Sequence, residues 1–173
     1  MATEKQLDRK LDAELRTNER FRHWFISKSK FKGASPQYVW SRADNPWCRV
    51  ELPFPDPVTG EPLVRDGETD VLFVFTFPTE HNRRLALHIE NKLASGKFTK
   101  YQPEAYSERA KHWLHNPNYG NYDDWDTVLL APTSFYTRCK VEAEKFGCFV
   151  SHEDVAEFVP LFRSEIRGGP TQD

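Results

Sequence analysis

Two apolar runs joined by a short polar stretch constrain the fold of this chain more than any other feature of its sequence. The first run spans residues 70–77, and the second spans residues 85–92. A nearly continuous apolar run of this length is typical of a strand that is covered on both faces of a sheet. Residues 78–84 between them begin with proline, carry several charges, and predict a hairpin connection. We therefore expect two neighbouring strands in the middle of a sheet.

Residue patterns on either side of these runs predict the other elements. Pro103 suits the first position of a helix, Gly147 suits a C-cap, and Ser151 opens a capping box. Residues 27–44 show no period and predict a basic, aromatic loop, whereas the prolines of residues 53–62 indicate a turn or an ordered loop. The predicted helices are 4–26, 103–114, 134–145 and 151–158, and the predicted strands are 47–52, 70–77, 85–92, 127–131 and 148–150. This order predicts an α/β fold with a mixed central sheet flanked by helices.

Length and composition bound the class of protein. A chain of 173 residues suits one domain, which we expect over residues 1–166, with a disordered tail at residues 167–173. The net charge of −2 gives no overall attraction to nucleic acid, so any such binding must use a local patch. Three cysteines without a signal peptide indicate a reducing compartment, and we expect a cytoplasmic protein. No apolar stretch approaches the roughly 18 residues of a membrane-spanning helix.

Three charged residues stand at positions where strands normally avoid charge. Asp70 opens the first apolar run, and Glu90 and Lys92 close the second. Because side chains alternate along a strand, Glu90 and Lys92 project to the same face, together with His88, and Asn91 projects to the other. If the two strands pair, Asp70 and Glu90 can offer oxygen ligands to a hard cation such as Mg²⁺. A solvated strand end is the competing interpretation of so short a pattern.

The segments around these residues resemble the PD-(D/E)XK nuclease superfamily, in the branch whose core strand reads Ile-Glu-Asn-Lys. The resemblance rests on residues 67–73, on residues 88–94, and on Gln102 and Tyr106 in the helix that follows. It covers residues 67–110 closely, although the first motif lacks the proline that gives the family its name. It implies a restriction-endonuclease-like fold with an αβββαβ core, here followed by extra C-terminal αβα elements.

The resemblance also implies a role for each matching residue. Asp70 and Glu90 would be metal ligands, and the backbone carbonyl of Asn91 would complete the protein ligands. Lys92 would be the catalytic lysine, and Gln102 would lie beside them as a polar positioning residue. Because a proline follows Gln102, we expect this residue at the cap of its helix rather than inside it.

The family usually supplies a further glutamate from its first helix, and this chain offers two candidates. Glu19 lies at the edge of the apolar stripe, and Glu14 lies beside that stripe. We favour Glu19, since an edge position can reach a strand end without burying an isolated charge. A solvated helix face is the alternative interpretation of both residues.

Further polar residues have two interpretations each. His88 shares the face of Glu90 and could contact a phosphate or a water, but such a histidine is more often a hydrogen-bonded residue of the sheet. Glu68 could assist the metal site or simply open a strand. Cys139, Cys148 and His152 fit no standard zinc spacing, so we interpret them as buried thiols and a helix cap.

Cleavage of a phosphodiester requires cations that contact phosphates. In residues 28–32 and 97–101 lysines alternate with aromatic residues, as expected where backbone charge and base stacking combine. A charge run is nevertheless more often a solvated surface. The candidate cations are Lys28, Lys30, Lys32, Arg83, Arg84, Lys97, Lys100, Arg109 and Lys111.

The sequence therefore predicts a Mg²⁺- or Mn²⁺-dependent nuclease that hydrolyses DNA, in a setting such as restriction, phage defence or mobile elements. With one site per chain, cutting both strands of a duplex would require a homodimer or two binding events. The alternative is a catalytically inactive, nuclease-like module that binds nucleic acid or assembles with other proteins. The two hypotheses differ in whether the carboxylates hold metal.

Overall fold

The computed structural model describes residues 2–80 and 83–166, which form an α/β fold. The strands are β1 (Gln37–Arg42), β2 (Trp47–Pro55), β3 (Pro62–Glu68), β4 (Val71–Thr76), β5 (Leu85–Asn91), β6 (Asp124–Ala131) and β7 (Cys148–Ser151). The helices are α1 (Glu4–Thr17), α2 (Glu19–Ile26), α3 (Gln102–His112), α4 (Thr133–Arg138), α5 (Lys140–Ala143), α6 (His152–Val155) and α7 (Arg163–Ile166), with 3₁₀ turns at Pro117–Tyr119 and Pro160–Phe162.

The main sheet has five strands in the order β1-β4-β5-β6-β7. The pairs β1/β4 and β4/β5 are antiparallel, whereas β5/β6 and β6/β7 are parallel. Strands β2 and β3 form a separate antiparallel hairpin. The prediction of a mixed sheet flanked by helices is confirmed, and so is the pairing of the two apolar runs at its centre.

Strand β5 is buried along its whole length and separates two parts of the core. Leu87 and Ile89 face the main core, which also contains the apolar stripe of α1. Ala86 lies in a second cluster on the opposite face, with Trp113 at the end of α3 and with Tyr122. The predicted alternation of side chains along this strand is therefore confirmed.

The prediction of one helix over residues 4–26 is wrong, because the chain breaks at Asn18. This residue has an extended backbone, ends α1, and caps α2 by accepting the amide of Phe21 at 3.0 Å. Asparagine competes with helical hydrogen bonding in this way, since its short side chain mimics a backbone acceptor. Glu19 thus belongs to a different helix from Glu14.

Two strands lie where the sequence predicted loops. β1 occupies the end of the predicted loop 27–44, and its residues are exposed or only half-buried, so they leave no apolar period. The hairpin of β2 and β3 extends into the proline-rich segment at residues 53–62, which we had expected to be irregular. Proline is tolerated in an edge strand because the missing amide need not have a partner there.

The C-terminal half follows the predicted order with shorter helices. The helix predicted over residues 134–145 divides at Cys139, and the helix predicted over residues 151–158 ends at Val155. Ser151 caps α6 as expected, by accepting the amide of Asp154 at 3.0 Å. The tail predicted at residues 167–173 lies outside the described residues.

The role predicted for Gly147 is wrong. Gly147 is not among the glycines with positive φ, so it is not a left-handed C-cap. A Cβ atom at this position would collide with Asp126 Oδ1, and close packing explains the glycine instead.

Within residues 2–80 and 83–166, no helix is both long and apolar enough to cross a lipid bilayer.

Candidate functional site

Strands β4 and β5 bring Asp70 and Glu90 to one cavity of about 360 Å³. Asp70 directly precedes β4, and the pairing of Val71 with Ile89 places it beside the carboxyl end of β5. Lys92 and Gln102 line the same cavity. Four of the predicted site residues, which come from three separate segments of the chain, therefore meet at the carboxyl end of β5.

Glu90 is the most enclosed member of this group, with 2% of its surface exposed. Its Oε1 atom accepts hydrogen bonds from Lys92 Nζ at 2.6 Å and from Gln102 Nε2 at 2.7 Å. Gln102 reaches Glu90 because Tyr101 takes the cap position of α3, with a left-handed φ of 63°, and leaves Gln102 as the first helical residue. The expectation that Gln102 occupies the cap itself is therefore wrong by one position.

Asp70 is held through both of its carboxylate oxygens. Its Oδ2 accepts the backbone N–H of Asn91 at 2.8 Å, and its Oδ1 accepts Asn45 Nδ2 at 3.1 Å. Burial, followed by the charges of Glu90 and Asp8, raises the pKa of the Asp70 carboxyl well above its usual value. The site thus concentrates negative charge that the surrounding protein does not fully neutralise.

Lys92 is the cation closest to this charge. Burial lowers the pKa of its ammonium group, but the charge and hydrogen bond of Glu90 and the charge of Asp70 outweigh that effect, and the pKa is raised overall. Lys92 is therefore protonated near neutral pH. A protonated lysine can hold an anion or orient a water, but it has no free electron pair with which to act as a base.

The helix acid at this cavity is neither Glu19 nor Glu14. Glu19 is exposed and lines a different hollow beside Arg20 and His23, and Glu14 forms an ion pair with Lys10 at 2.8 Å. Instead, α1 contributes two other carboxylates. Glu4 lines the cavity, and Asp8 is buried.

Asp8 meets β5 from the core side, where its Oδ1 accepts Asn91 Nδ2 at 2.7 Å. Burial raises the pKa of Asp8 to about 7, against the lowering effect of the bond from Asn91, and the charges of Glu4, Glu90 and Glu68 add to the rise. A sequence signal existed, because Asp8 is a polar residue within the apolar stripe of Leu7, Leu11 and Leu15. Of the two carboxylates of α1, Glu4 therefore lines the cavity, whereas Asp8 lies on the other side of β5 and acts on the site through Asn91 and through its charge on Asp70.

Asp70 and Glu90, with the backbone carbonyl that the resemblance assigns to Asn91, would make an all-oxygen donor set of the kind that suits Mg²⁺ or Mn²⁺. Within residues 2–80 and 83–166, no three His, Cys, Asp or Glu side chains cluster closely enough to hold an ion by themselves. Mg²⁺ usually binds one or two carboxylates and keeps several waters, so two carboxylates and a carbonyl suffice. A divalent cation at this site would offset the negative charges that help to raise the pKa of Asp70.

His88 has the structural role that the sequence left open. It is fully buried, with Nε2 3.0 Å from Tyr122 Oη and Nδ1 3.4 Å from Thr69 Oγ1. Burial, and then the charge of Arg109, lower the pKa of His88 to about 3, so it stays neutral. Glu68 does line the cavity, and its backbone carbonyl accepts the guanidinium of Arg109 at 2.7 Å.

Tyr106 contacts the backbone next to the candidate site. It is fully buried, and its hydroxyl accepts the N–H of Asp70 at 3.2 Å and lies 3.4 Å from the carbonyl of Ile89. The hydroxyl therefore links β4 to β5 at the point where their paired residues end. Tyr106, one of the residues on which the resemblance rests, thus contacts the segment that carries Asp70.

Of the predicted cations, Lys100 and the buried Arg109 line the cavity. Arg65, which the sequence pattern does not indicate, lines it as well. Lys97, Lys100, Arg138 and Lys145 line an adjoining hollow of about 440 Å³.

The basic segment at residues 28–32 lies elsewhere in the fold. Lys30 pairs with Asp124 at 2.7 Å, at the amino end of β6, and Lys32 Nζ donates to the carbonyls of Ser27 and Ser29. These lysines stabilise the turn after α2, and they do not line the cavity. The position of this segment therefore gives no support to its predicted contact with phosphate.

Aromatic side chains flank the mouth of the cavity. Trp47, at the start of β2, lines the cavity and is 57% exposed. The guanidinium of Arg65 and the ammonium of Lys100 lie 5.4 and 4.8 Å from the ring centre of Tyr101. Cations and aromatic faces therefore stand together beside the carboxylates.

No protein-family model matches the chain, and comparisons with curated proteins and with solved structures gave no match either.

Proposed function

We propose that this protein is a metal-dependent nuclease of the PD-(D/E)XK type that hydrolyses phosphodiester bonds of DNA. The observation that carries the proposal is the convergence of Asp70, Glu90, Lys92 and Gln102 on one cavity. These are the residues to which the resemblance assigns the site, and they come from separate parts of the sequence. Gln102, which lies 12 positions from Glu90 in the sequence, donates to its carboxylate at 2.7 Å, a contact that a chance match to a short motif does not require.

The arrangement of the main sheet supports the finer assignment of the fold. Helix α1, the antiparallel strands β1, β4 and β5, helix α3 and the parallel strand β6 follow each other in the order αβββαβ. On this view the first strand of the core is β1 rather than the strand predicted at residues 47–52. The β2–β3 hairpin is then an insertion between the first two core strands.

Asp70, Glu90 and the carbonyl of Asn91 would hold the divalent cation, which lowers the pKa of a bound water and neutralises charge that develops on the phosphate. Gln102 and Lys92 fix the Glu90 carboxylate from two sides, so that its orientation is set before substrate arrives. Lys92 keeps its proton at Nζ and would hold a phosphate oxygen or orient the attacking water. Preorganised charges of this kind stabilise a transition state without having to reorganise.

A polyanionic strand is the substrate that the surroundings favour. Arg65 and Lys100 line the cavity that holds the carboxylates, and Lys97 and Arg138 line the adjoining hollow. Trp47 offers an exposed ring at the mouth, where a base could stack for about 1–3 kcal/mol. These features favour a strand whose bases are accessible, near the point of cleavage, over a small phosphorylated metabolite.

The direct test is cleavage of labelled single-stranded DNA, duplex DNA and RNA by purified protein with Mn²⁺, Mg²⁺ or excess EDTA. We expect DNA cleavage that requires the metal and that falls at least about 10³-fold in Glu90→Gln and in Lys92→Met. Glu144→Gln and Lys140→Met are matched controls, since these residues form an exposed ion pair at 3.6 Å far from the motif in sequence. Activity that survives in both site variants would overturn the proposal.

A specific observation favours the alternative of an inactive binding module. The oxygens of Asp70 and the Oε1 atom of Glu90 already accept hydrogen bonds from nitrogen donors, so the cluster is satisfied without metal. Calorimetric titration with Mn²⁺ distinguishes the two. Retained DNA binding with no detectable Mn²⁺ binding would favour the module.

A further inference from the structure

Asn91 lies between Glu90 and Lys92 in sequence, but its side chain points into the opposite side of the sheet. There it is almost fully buried, with 1% exposure. Its Nδ2 donates to Asp8 Oδ1 at 2.7 Å, and its Oδ1 lies 2.8 Å from His152 Nε2. The Asn91 amide is therefore held at both ends, by α1 on one side and by the start of α6 on the other.

The roles of donor and acceptor in this chain follow from its chemistry. Because Nδ2 of Asn91 donates to a carboxylate, its Oδ1 must be the acceptor, and His152 Nε2 must carry the hydrogen. Nδ1 of His152 has no hydrogen-bond partner in the part of the chain that the structure describes. Among the described residues, the hydrogen bond of this imidazole is thus directed at Asn91.

The backbone of Asn91 faces the candidate metal centre, whereas its side chain lies on the opposite face of the sheet. Its N–H donates to Asp70 Oδ2 at 2.8 Å. Its carbonyl is the third oxygen of the proposed donor set. A rotation of the Asn91 peptide would therefore disturb both Asp70 and the carbonyl. The bonds of the side-chain amide oppose this rotation in addition to the pairing of β5 with β6, where Lys92 N–H donates to the carbonyl of Leu130 at 2.9 Å.

We propose that His152 is a positioning residue for the metal centre, and that it acts with Asp8 by clamping the Asn91 amide so that the Asn91 backbone stays aligned. The inference rests on the proposed function, because it assigns a purpose to the alignment of metal-binding atoms. Groups that orient metal ligands without touching the metal commonly change metal affinity by about 10- to 100-fold when they are removed.

Three substitutions of His152 separate this role from ordinary packing. His152→Gln keeps an N–H donor at nearly the same reach, His152→Asn carries the same amide one methylene shorter, and His152→Leu removes the donor. We expect His152→Asn and His152→Leu to weaken Mn²⁺ binding by about 10-fold or more and His152→Gln by less than about 3-fold, measured by calorimetry. The Asn variant keeps the test available if the Leu variant does not fold.

A second readout uses the protein without metal. The Asn91 N–H should exchange with solvent faster in His152→Asn and His152→Leu, relative to its neighbours in β5, because its bond to Asp70 is no longer held in line. Thr127→Val is the matched control, since it also removes one buried hydrogen-bond partner, the hydroxyl that accepts Gly147 N–H at 2.9 Å. It should lower stability without changing Mn²⁺ affinity or the relative exchange of Asn91.

The outcomes separate the inference from the proposed function. If wild-type protein binds Mn²⁺ and folded His152→Leu or His152→Asn binds it equally well, with unchanged exchange at Asn91, the inference fails and the proposed function stands. If wild-type protein binds no Mn²⁺, the proposed function fails and the inference fails with it. Equal weakening in all three variants would also overturn it, because the Gln donor should restore the clamp.

Discussion

The two ends of the central strands β5 and β6 both carry carboxylates, but their charges are balanced differently. At the amino end, Asp124 lies 2.7 Å from Lys30 Nζ and 2.9 Å from Arg83. Burial alone would raise the pKa of Asp124, but its hydrogen bonds and the two cations lower it below its usual value. At the carboxyl end, burial and neighbouring carboxylates raise the pKa of Asp70.

On the proposed function, one end is built for stability and the other for chemistry. At the amino end Asp124 binds two cations, one of which, Arg83, also pairs with Glu80 at 3.1 Å, and this is a stabilising surface arrangement. The carboxyl end places Asp70 and Glu90 beside Lys92, and the charge of Asp8 from the core side adds to the rise of the Asp70 pKa, so this excess of negative charge costs folding free energy. Residues with strongly perturbed pKa values in a cavity are more often functional than structural.

The largest expected effect is the loss of cleavage in Asp70→Asn, which removes one of the two proposed carboxylate ligands. We expect DNA cleavage in Mn²⁺ to fall at least about 10³-fold, while the variant stays as stable as wild type because it also removes a repelled charge. The matched substitution at the other end, Asp124→Asn, should change cleavage by less than about 3-fold. Equal losses in the two variants would remove the functional distinction between the ends.

The next effect concerns stability and its dependence on pH at the carboxyl end. The pKa of Asp8 is raised from 3.8 to about 7, so its favourable contribution is present below pH 4 and is lost as the pH rises through 7. Asp8→Asn should therefore be more stable than wild type at pH 8, by on the order of 1–4 kcal/mol, and nearly equal at pH 4. Urea unfolding in EDTA at pH 4, 6 and 8 measures the difference. A constant difference across this range would show that Asp8 does not titrate as the burial implies.

The smallest effect has the opposite sign and belongs to the amino end. The folded-state pKa of Asp124 is lowered, so its stabilising contribution is present at neutral pH and is lost as the pH falls through that lowered value. Because the carboxylate is about 31% exposed, solvent screening limits the loss in Asp124→Asn at pH 7 to about 0.5–1 kcal/mol. The same unfolding series, extended to pH 3, should show this loss shrinking on acidification, and a loss that grows with acid would contradict it.

The sequence predicted the centre of the fold better than its edges. Strands β4 and β5 are apolar on both faces, so burial alone identifies them. β1 was missed because its residues are exposed or half-buried, and β3 was missed because Pro62 and the exposed positions of the hairpin hide its pattern. Hydrophobic periodicity identifies helices and strands that bury one or both faces in the core, and it does not identify strands whose residues stay exposed.

The same limit applies to the site. Asp70, Glu90 and Lys92 can be found as charges at the ends of apolar strands, whereas Gln102 comes from the resemblance alone. The edge position favours Glu19, whereas the first helix places Glu4 at the cavity and Asp8 against Asn91, whose bond helps the buried carboxyl to be tolerated in the core. No local pattern links Asn91 to His152, since the contact joins residues 61 positions apart.

The alternation of side chains along β5 also governs how the sheet can pair while the chain folds. A slip of one residue would turn Glu90 and Lys92 toward the leucines of α1 and would bring Leu87 and Ile89 to the other face. The Glu90–Lys92 ion pair would then be buried among apolar side chains without the bond from Gln102, which costs free energy. The charged motif at the end of this strand therefore also protects the chain against mispaired, aggregation-prone sheets.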